Sequence, residues 1–412
     1  MRLLKLGVYH PTYLKQFYAA RPALAARPYA EQHAALIYDA YGSSDFWTAA
    51  LSRLGYETRD TVANAEPLQT AWAREQGFDH TPGGWLFEVA AAQIRAFRPD
   101  ALIVADYSTF GAAFIRQLRE DCPSIRLVLG WCGAPYADAS VFGAWDIVLS
   151  CVPEMVAHFS EGGHRAHHLD HAFDPRILDR IDTSSPPDAD FTFVGSVLKH
   201  DRFHVEREKI LKRLVERTAL QIWSDIRRPS PAERRGVRAR QLAHDAVRAA
   251  RGAGVPESIL SAAPLVGRAA RWESRPALAD AVDERIARRA RPPLFGLDMF
   301  QRLRRSRATL NTHIDISAAS ASNMRLFEAT GAGACLVTDW KENLPGLFEP
   351  DAEVLTYRSA DECAEKVGYI LDHEGERRAV AAAGQRRALR DHNFALRAAR
   401  IDEIIRGALS KP

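Results

Sequence analysis

The chain reads as an α/β protein built from two Rossmann-like halves in tandem, and three observations predict it. Short, continuously apolar runs alternate with helical stretches. A turn-rich segment near the middle interrupts this alternation, which then restarts. The length of 412 residues exceeds what one ordinary core organises and suits two domains of about 150 to 200 residues each.

The first half opens with a strand from Leu3 to Tyr9, a long helical stretch from about Ala30 to Leu54 and a strand from Glu57 to Val62. A helix from Leu86 to Phe97 stops at Arg98-Pro99. Strand Ala101 to Ala105, helix Ala112 to Arg119, strand Arg126 to Trp131, strand Trp145 to Cys151 and helix Pro153 to Ser160 follow. These strands are apolar throughout rather than alternating, as a parallel sheet covered on both faces requires. Asp182 to Asp190, with two serines and two prolines, is the expected linker. The pattern then restarts with strand Phe191 to Val197, helix Arg207 to Glu216 and strand Leu220 to Trp223. Helix Leu297 to Arg305, strand Thr309 to Ile314, strand Glu353 to Tyr357 and helices Ala360 to His373, Glu376 to Arg390 and Ala395 to Leu409 complete it. The expected division is residues 1–185, residues 186–394 with an Arg-rich helical insert at about 227–291, and a last helix over 395–412.

Composition narrows the classes. Apolar residues at 47% and charged ones at 26% are those of a globular protein, and no run nears the roughly 20 apolar residues of a membrane span. The first residues lack a signal-peptide pattern, so a cytoplasmic location is expected. Cys122, Cys132, Cys151, Cys335 and Cys363 are scattered without metal spacing and read as buried free thiols, and no bound metal or other cofactor is expected. The net charge of +3 is uninformative, but the block from Arg227 to Arg291 contains no lysine and few acids. It is either a solvated helical face or a patch that could hold the protein against the inner face of an anionic membrane; nucleic acid is not an expected partner.

The most informative segment is Asn323 to Asp339, a helix start, a Gly-rich stop at Gly331 and Gly333, and an apolar strand. A helix start concentrates unpaired N–H groups and partial positive charge, so Asn323, Met324 and Arg325 make a seat for a diphosphate. Glu328, a turn further on, could hold a pair of sugar hydroxyls.

This segment, together with Leu347-Phe348-Glu349-Pro350, Glu353-Val354, Tyr357 and the run from Glu376 through Gly384 to His392, resembles group 1 glycosyltransferases, closest to their spore-maturation-type branch. Phe193-Val194-Gly195-Ser196 is similar to the first strand of that family's nucleotide domain. The resemblance implies a GT-B architecture: two Rossmann-like domains facing a central cleft, acceptor mainly on the first, nucleotide-sugar donor (a UDP- or GDP-sugar) mainly on the second, and a C-terminal helix crossing back. It makes Glu328 the ribose-binding carboxylate and sets Phe295-Gly296-Leu297 against the base. Many retaining members carry a further Glu eight residues before the ribose carboxylate; here that position is Ser320.

Strand ends supply the remaining candidates, because open parallel sheets bind ligands beyond their carboxyl ends. Gly195, Ser196, Lys199 and Arg202 follow the first strand of the second half, and Asn311 and His313 end the strand before the motif. With Gly296, Asn323, Met324, Arg325 and Glu328 they form the expected donor site. Arg325 and helix N–H groups could stabilise a departing diphosphate without a metal. An inverting reaction would need a general base, for which His10 after the first strand is the first candidate and Asp106 after the third strand and Asp45 the runners-up. Tyr107 and Trp131, aromatic residues at strand ends, are candidates for stacking on an acceptor sugar, and His171 is placed at the cleft. The expected activity is sugar transfer from a nucleotide donor to an unidentified acceptor. A GT-B phosphorylase or sugar-nucleotide epimerase, or a non-catalytic scaffold binding polyanions or membranes, are the alternatives.

Overall fold

A computed structural model of the chain describes residues 1–197, 204–226, 228–262, 266–272, 274–276, 278, 281–317 and 319–410. Among the described residues two six-stranded, wholly parallel sheets carry the architecture. The first contains β1 (Arg2–Gly7), β2 (Glu57–Val62), β3 (Ala101–Val104), β4 (Leu127–Trp131), β5 (Ile147–Ser150) and β6 (Ala166–His168) in the order β2-β1-β3-β4-β5-β6. The second contains β7 (Ala189–Val194), β8 (Gln221–Trp223), β9 (Ala290–Arg291), β10 (Ser306–Asn311), β11 (Cys335–Asp339) and β12 (Leu355–Tyr357) in the order β12-β11-β10-β7-β8-β9.

Both sheets are covered on two faces, which is why a central strand such as β3, Ala-Leu-Ile-Val, is apolar and buried throughout, whereas the edge strand β2 carries Glu57, Arg59 and Asp60. In β1, Leu3 packs with Phe46 and Trp47 on one face, while Leu4 and Leu6 pack with Ile94 and Phe97 on the other. In each sheet the order reverses once, between β1 and β3 and between β7 and β10. Loops leave in opposite directions at such a point and open a crevice at the strand ends.

The last helix, Phe394–Leu409, leaves the second sheet and packs against the helix Phe46–Ser52 under the first. Asn393 caps it by accepting from the Leu396 N–H at 3.1 Å. The Phe394 and Phe46 rings lie 5.1 Å apart, and the Tyr56 hydroxyl donates to Asp402 at 2.6 Å. Beside this crossing, the Phe173 N–H donates to the His392 carbonyl at 2.8 Å, so the outgoing and returning segments run together.

Several elements differ from the sequence reading. The helical stretch from Ala30 to Leu54 is two helices, Tyr29–Tyr38 and Phe46–Ser52, broken where Ala40 (φ 56°), Gly42 (φ 60°) and Ser44 (φ 35°) turn left-handed. Helices Pro11–Ala19 and Glu66–Gln76 were not anticipated. The first sheet gains a last strand that the sequence reading lacks, Ala166–His168. Gly331 lies inside the helix Met324–Ala332, and only Gly333 (φ 85°) is its left-handed cap.

The arginine-rich region begins with the helix Pro231–Gly252, closed at its start by a Ser230–Glu233 capping box. Val247, Leu260, Ala269 and Ala270 give it a small core of its own. Its final residues rejoin the sheet: Ile286 is buried in the second core, and Ala290–Arg291 forms the edge strand beside β8. No helix among the described residues is long and apolar enough to cross a membrane. All five cysteines are free and buried.

Candidate functional site

The reversal point of the second sheet, at the ends of β7 and β10, faces the loops that follow β1, β4, β5 and β6 across a cavity of about 460 Å³. Of the residues singled out in the sequence, His10, Gly195, Ser196, Gly296, Asn311, Asn323, Met324, Arg325 and Glu328 line it, as does His171. Lys199 and Arg202 lie outside the described residues.

On the second-sheet wall, Asn323 precedes the helix Met324–Ala332 with extended backbone but makes no side-chain cap. Its amide is engaged elsewhere. Asn323 Nδ2 donates to Asn311 Oδ1 at 2.7 Å, and Asn311 Nδ2 returns a bond to Asn323 Oδ1 at 3.1 Å. This reciprocal pair locks the helix start to the end of β10 and leaves the first helical N–H groups uncapped by a side chain at the cavity. Arg325 reaches across to β7, where Nε donates to the Val194 carbonyl at 3.1 Å, while Nη1 lies 2.8 Å from Glu328 Oε2. Glu328 is buried, and burial pushes its carboxyl above the usual carboxylate range against the opposing pull of Arg325.

A second arginine, Arg207, completes this wall and escaped the sequence reading. Its Nε donates to Thr312 Oγ1 at 2.7 Å, Nη2 to the Thr312 carbonyl at 2.8 Å, and Nη1 to the Ser196 carbonyl at 2.8 Å and toward His204 Nε2 at 2.8 Å. It therefore ties the ends of β7 and β10 together at their reversal point. Among the described residues no carboxylate lies within ion-pair distance of it. Burial lowers its pKa to about 10, which leaves the guanidinium charged at neutral pH. The signal was present: Arg207 shares the buried stripe of the helix Val205–Arg217 with Leu211, Leu214 and Val215, an apolar register in which an arginine is out of place.

The first-sheet wall is different in kind. Tyr41, Gly42, Gly133, Cys151, His10 and His171 form it. Burial depresses the His171 pKa to about 3, with Arg397 adding to the effect, so its ring is neutral. Burial pushes the Cys151 thiol up to about 12, which makes it an unreactive wall atom. His10 caps the helix Pro11–Ala19: its Nδ1 accepts from the Thr12 N–H at 3.3 Å, and its ring lies parallel to Phe295 at 6.2 Å across the cleft. At the mouth, the Thr12 hydroxyl donates to Asp225 at 2.8 Å, joining the two walls.

Four strand-end candidates are not brought into the cavity. Asp106 is spent on its own loop, accepting from the Thr109 N–H at 2.6 Å and the Ser108 hydroxyl at 3.1 Å. The Tyr107 hydroxyl donates to the Pro135 carbonyl at 2.7 Å. Trp131 stands edge-on to Trp47 at 5.2 Å and packs beside His171. His313 is turned inward, its ring fully buried and Nδ1 2.7 Å from Asp339 Oδ1. Position 320, where a carboxylate was missing, has one beside it after all. The Ser320 hydroxyl donates at 2.9 Å to Glu154, which arrives from the opposite half on the helix following β5.

Among the described residues no group of three or more His, Cys, Asp or Glu side chains is placed to hold a metal. What the walls can do is bind: one presents uncapped N–H groups, two arginines and a buried carboxylate beside the rings of Phe193, Trp223 and Phe295, the other Tyr41, two histidines and small residues.

Residues 234–403 match the model of a family described as glycosyl transferase-like. No curated protein matches the chain. Among solved structures, sucrose-phosphate synthase from Thermosynechococcus elongatus aligns over 100% of both chains at 11% identity with a TM-score of 0.53. The Anabaena protein HepE in complex with UDP-glucose aligns over 99% of this chain and all of that one at 10% identity with a TM-score of 0.54. A glycosyltransferase from Rickettsia africae covers 100% and 99% at 9% identity with a TM-score of 0.51. The fold is therefore the two-domain α/β arrangement of GT-B glycosyltransferases.

Proposed function

We propose that the chain is a glycosyltransferase of the group 1, spore-maturation-type branch that moves a sugar from a nucleoside diphosphate carrier to an acceptor on the first-sheet side. One observation carries this reading. Uncapped N–H groups of the helix Met324–Ala332, Arg207 and Arg325 converge with the buried Glu328 on one wall of a cavity between the second sheet's reversal point and the strand-end loops of the first. The N–H groups and cations suit a diphosphate, and the carboxylate suits paired ribose hydroxyls. Departing negative charge is then met by fixed donors, so the reaction needs no metal. The match to glycosyl transferase-like sequences over residues 234–403 supports the same reading. Exposed Arg235, Arg238 and Arg248 on the helix Pro231–Gly252 are the surface through which a cytoplasmic enzyme of this kind would touch an anionic membrane.

The test is a thermal-shift panel of nucleotide sugars, beginning with UDP-glucose because the structurally similar Anabaena protein was solved with it. A bound donor raises apparent stability by mass action. At least one UDP- or GDP-sugar should raise Tm in the presence of EDTA, and Glu328→Ala should remove the shift while leaving the unliganded Tm near that of the wild type. A shift that survives Glu328→Ala would move the ribose site elsewhere, and no shift with any donor would end the reading.

A further inference from the structure

We propose that His10 is a hydrogen-bond donor to the diphosphate of the bound nucleotide rather than a proton acceptor. The inference rests on the functional reading above for the identity of the ligand, and on the local geometry for the state of the ring. His10 occupies the cap position of the helix Pro11–Ala19, with the proline leaving the next backbone nitrogen without a hydrogen. The Thr12 N–H points at His10 Nδ1 at 3.3 Å, so that nitrogen must present its lone pair. In a neutral imidazole the proton then sits on Nε2. Protonating Nδ1 would set two N–H groups against each other and undo the cap.

Nε2 is at the opposite edge of the ring. It has no hydrogen-bond partner among the described residues, and the residue lines the cavity. Phe295 faces the ring from the second half, with an interplanar angle of 27° and centroids 6.2 Å apart. The wall beyond is the cationic one, formed by Arg207, Arg325 and the uncapped helix start. Oxygens drawn there are anionic, and an Nε2–H on the first-sheet side supplies a donor from the other direction. A general base at this position would need the reverse arrangement, with Nδ1–H held by an acceptor and Nε2 bare.

Three measurements decide it. In the free protein, imidazole ¹⁵N spectra at neutral pH should show His10 protonated on Nε2 and bare at Nδ1; the opposite tautomer overturns the proposal without reference to any ligand. His10→Asn keeps a favoured cap residue but removes the far donor. It should leave Tm unchanged and weaken UDP or GDP, whichever binds the wild type, by roughly ten- to a hundredfold, with the corresponding nucleoside unaffected. His10→Gln, whose amide N–H reaches as far as Nε2, should recover much of that affinity. Diphosphate affinity equal to wild type in His10→Asn overturns the donor role. Failure of both nucleotides to bind the wild type overturns the functional reading itself, and the ligand assignment with it.

Discussion

The two walls of the cavity come from sheets of the same topology, each reversing once, yet they differ in what they bring to the cleft. The second-sheet wall is charged and tightly bonded, with Arg207 held by Ser196 and Thr312, and Arg325 by Val194 and Glu328. Among the described residues the first-sheet wall carries no charged pair and consists of Tyr41, two glycines, the buried Cys151 thiol, His10 and a His171 kept neutral. The backbone plan thus fixes where a ligand can bind, while the side chains at the reversal point fix which part of it each half can hold.

The most severe way to break this contrast is Arg207→Ala. It empties a buried site, strands the Ser196 carbonyl and leaves the Thr312 carbonyl with its bond from Asn323 alone, so an unfolding loss of roughly 3 kcal/mol or more is expected in urea titration, together with loss of nucleotide binding. A change below about 1 kcal/mol would show that the β7–β10 junction does not depend on it. A smaller loss, of about 2 kcal/mol, is expected from Gly331→Ala. There a Cβ would fall inside the Phe173 ring, which packs where the second wall's helix leans on the segment leaving the first sheet.

The mildest test concerns Asp39, at the break between the first wall's two helices. It faces Gly296 of the second half and accepts from the Tyr13 hydroxyl at 2.9 Å. Burial pushes its carboxyl up to about 6, with Tyr13 and Arg21 opposing and Asp298 adding to the rise. Because the folded state favours the neutral form, its contribution is most favourable below the unfolded pKa near 4 and is lost as pH rises through about 6. Asp39→Asn should flatten this dependence, changing stability at neutral pH by on the order of 1 kcal/mol after solvent screening is allowed for. A pH–stability curve that keeps its shape in the variant would refute the assignment.

Much of the charged wall was legible because helix starts, glycine stops and apolar strands leave local patterns, and Asn323 to Asp339 contains all three in order. The first-sheet wall was less so. The break at Ala40 to Ser44 does carry a turn signal, Gly42-Ser43-Ser44-Asp45, but the apolar pattern on either side hid it, and that break places Tyr41 in the cleft. Asp106, Tyr107 and Trp131 stood at the right strand ends, but a strand end does not say whether a side chain faces the cavity or closes its own loop. The pairing of Ser320 with Glu154 spans 166 positions, and no local pattern announces it.

The helix Phe394–Leu409 has a consequence in time. Phe46, Trp47 and Tyr56 are made early in synthesis, but Phe394 and Asp402, which meet them, follow far later, 346 positions separating Tyr56 from Asp402. A growing chain usually completes its amino-terminal unit first. Here that unit stays unsealed, with aromatic surface exposed, until this distant helix has been made, so the order of synthesis leaves the nascent first half open to aggregation and to chaperone capture.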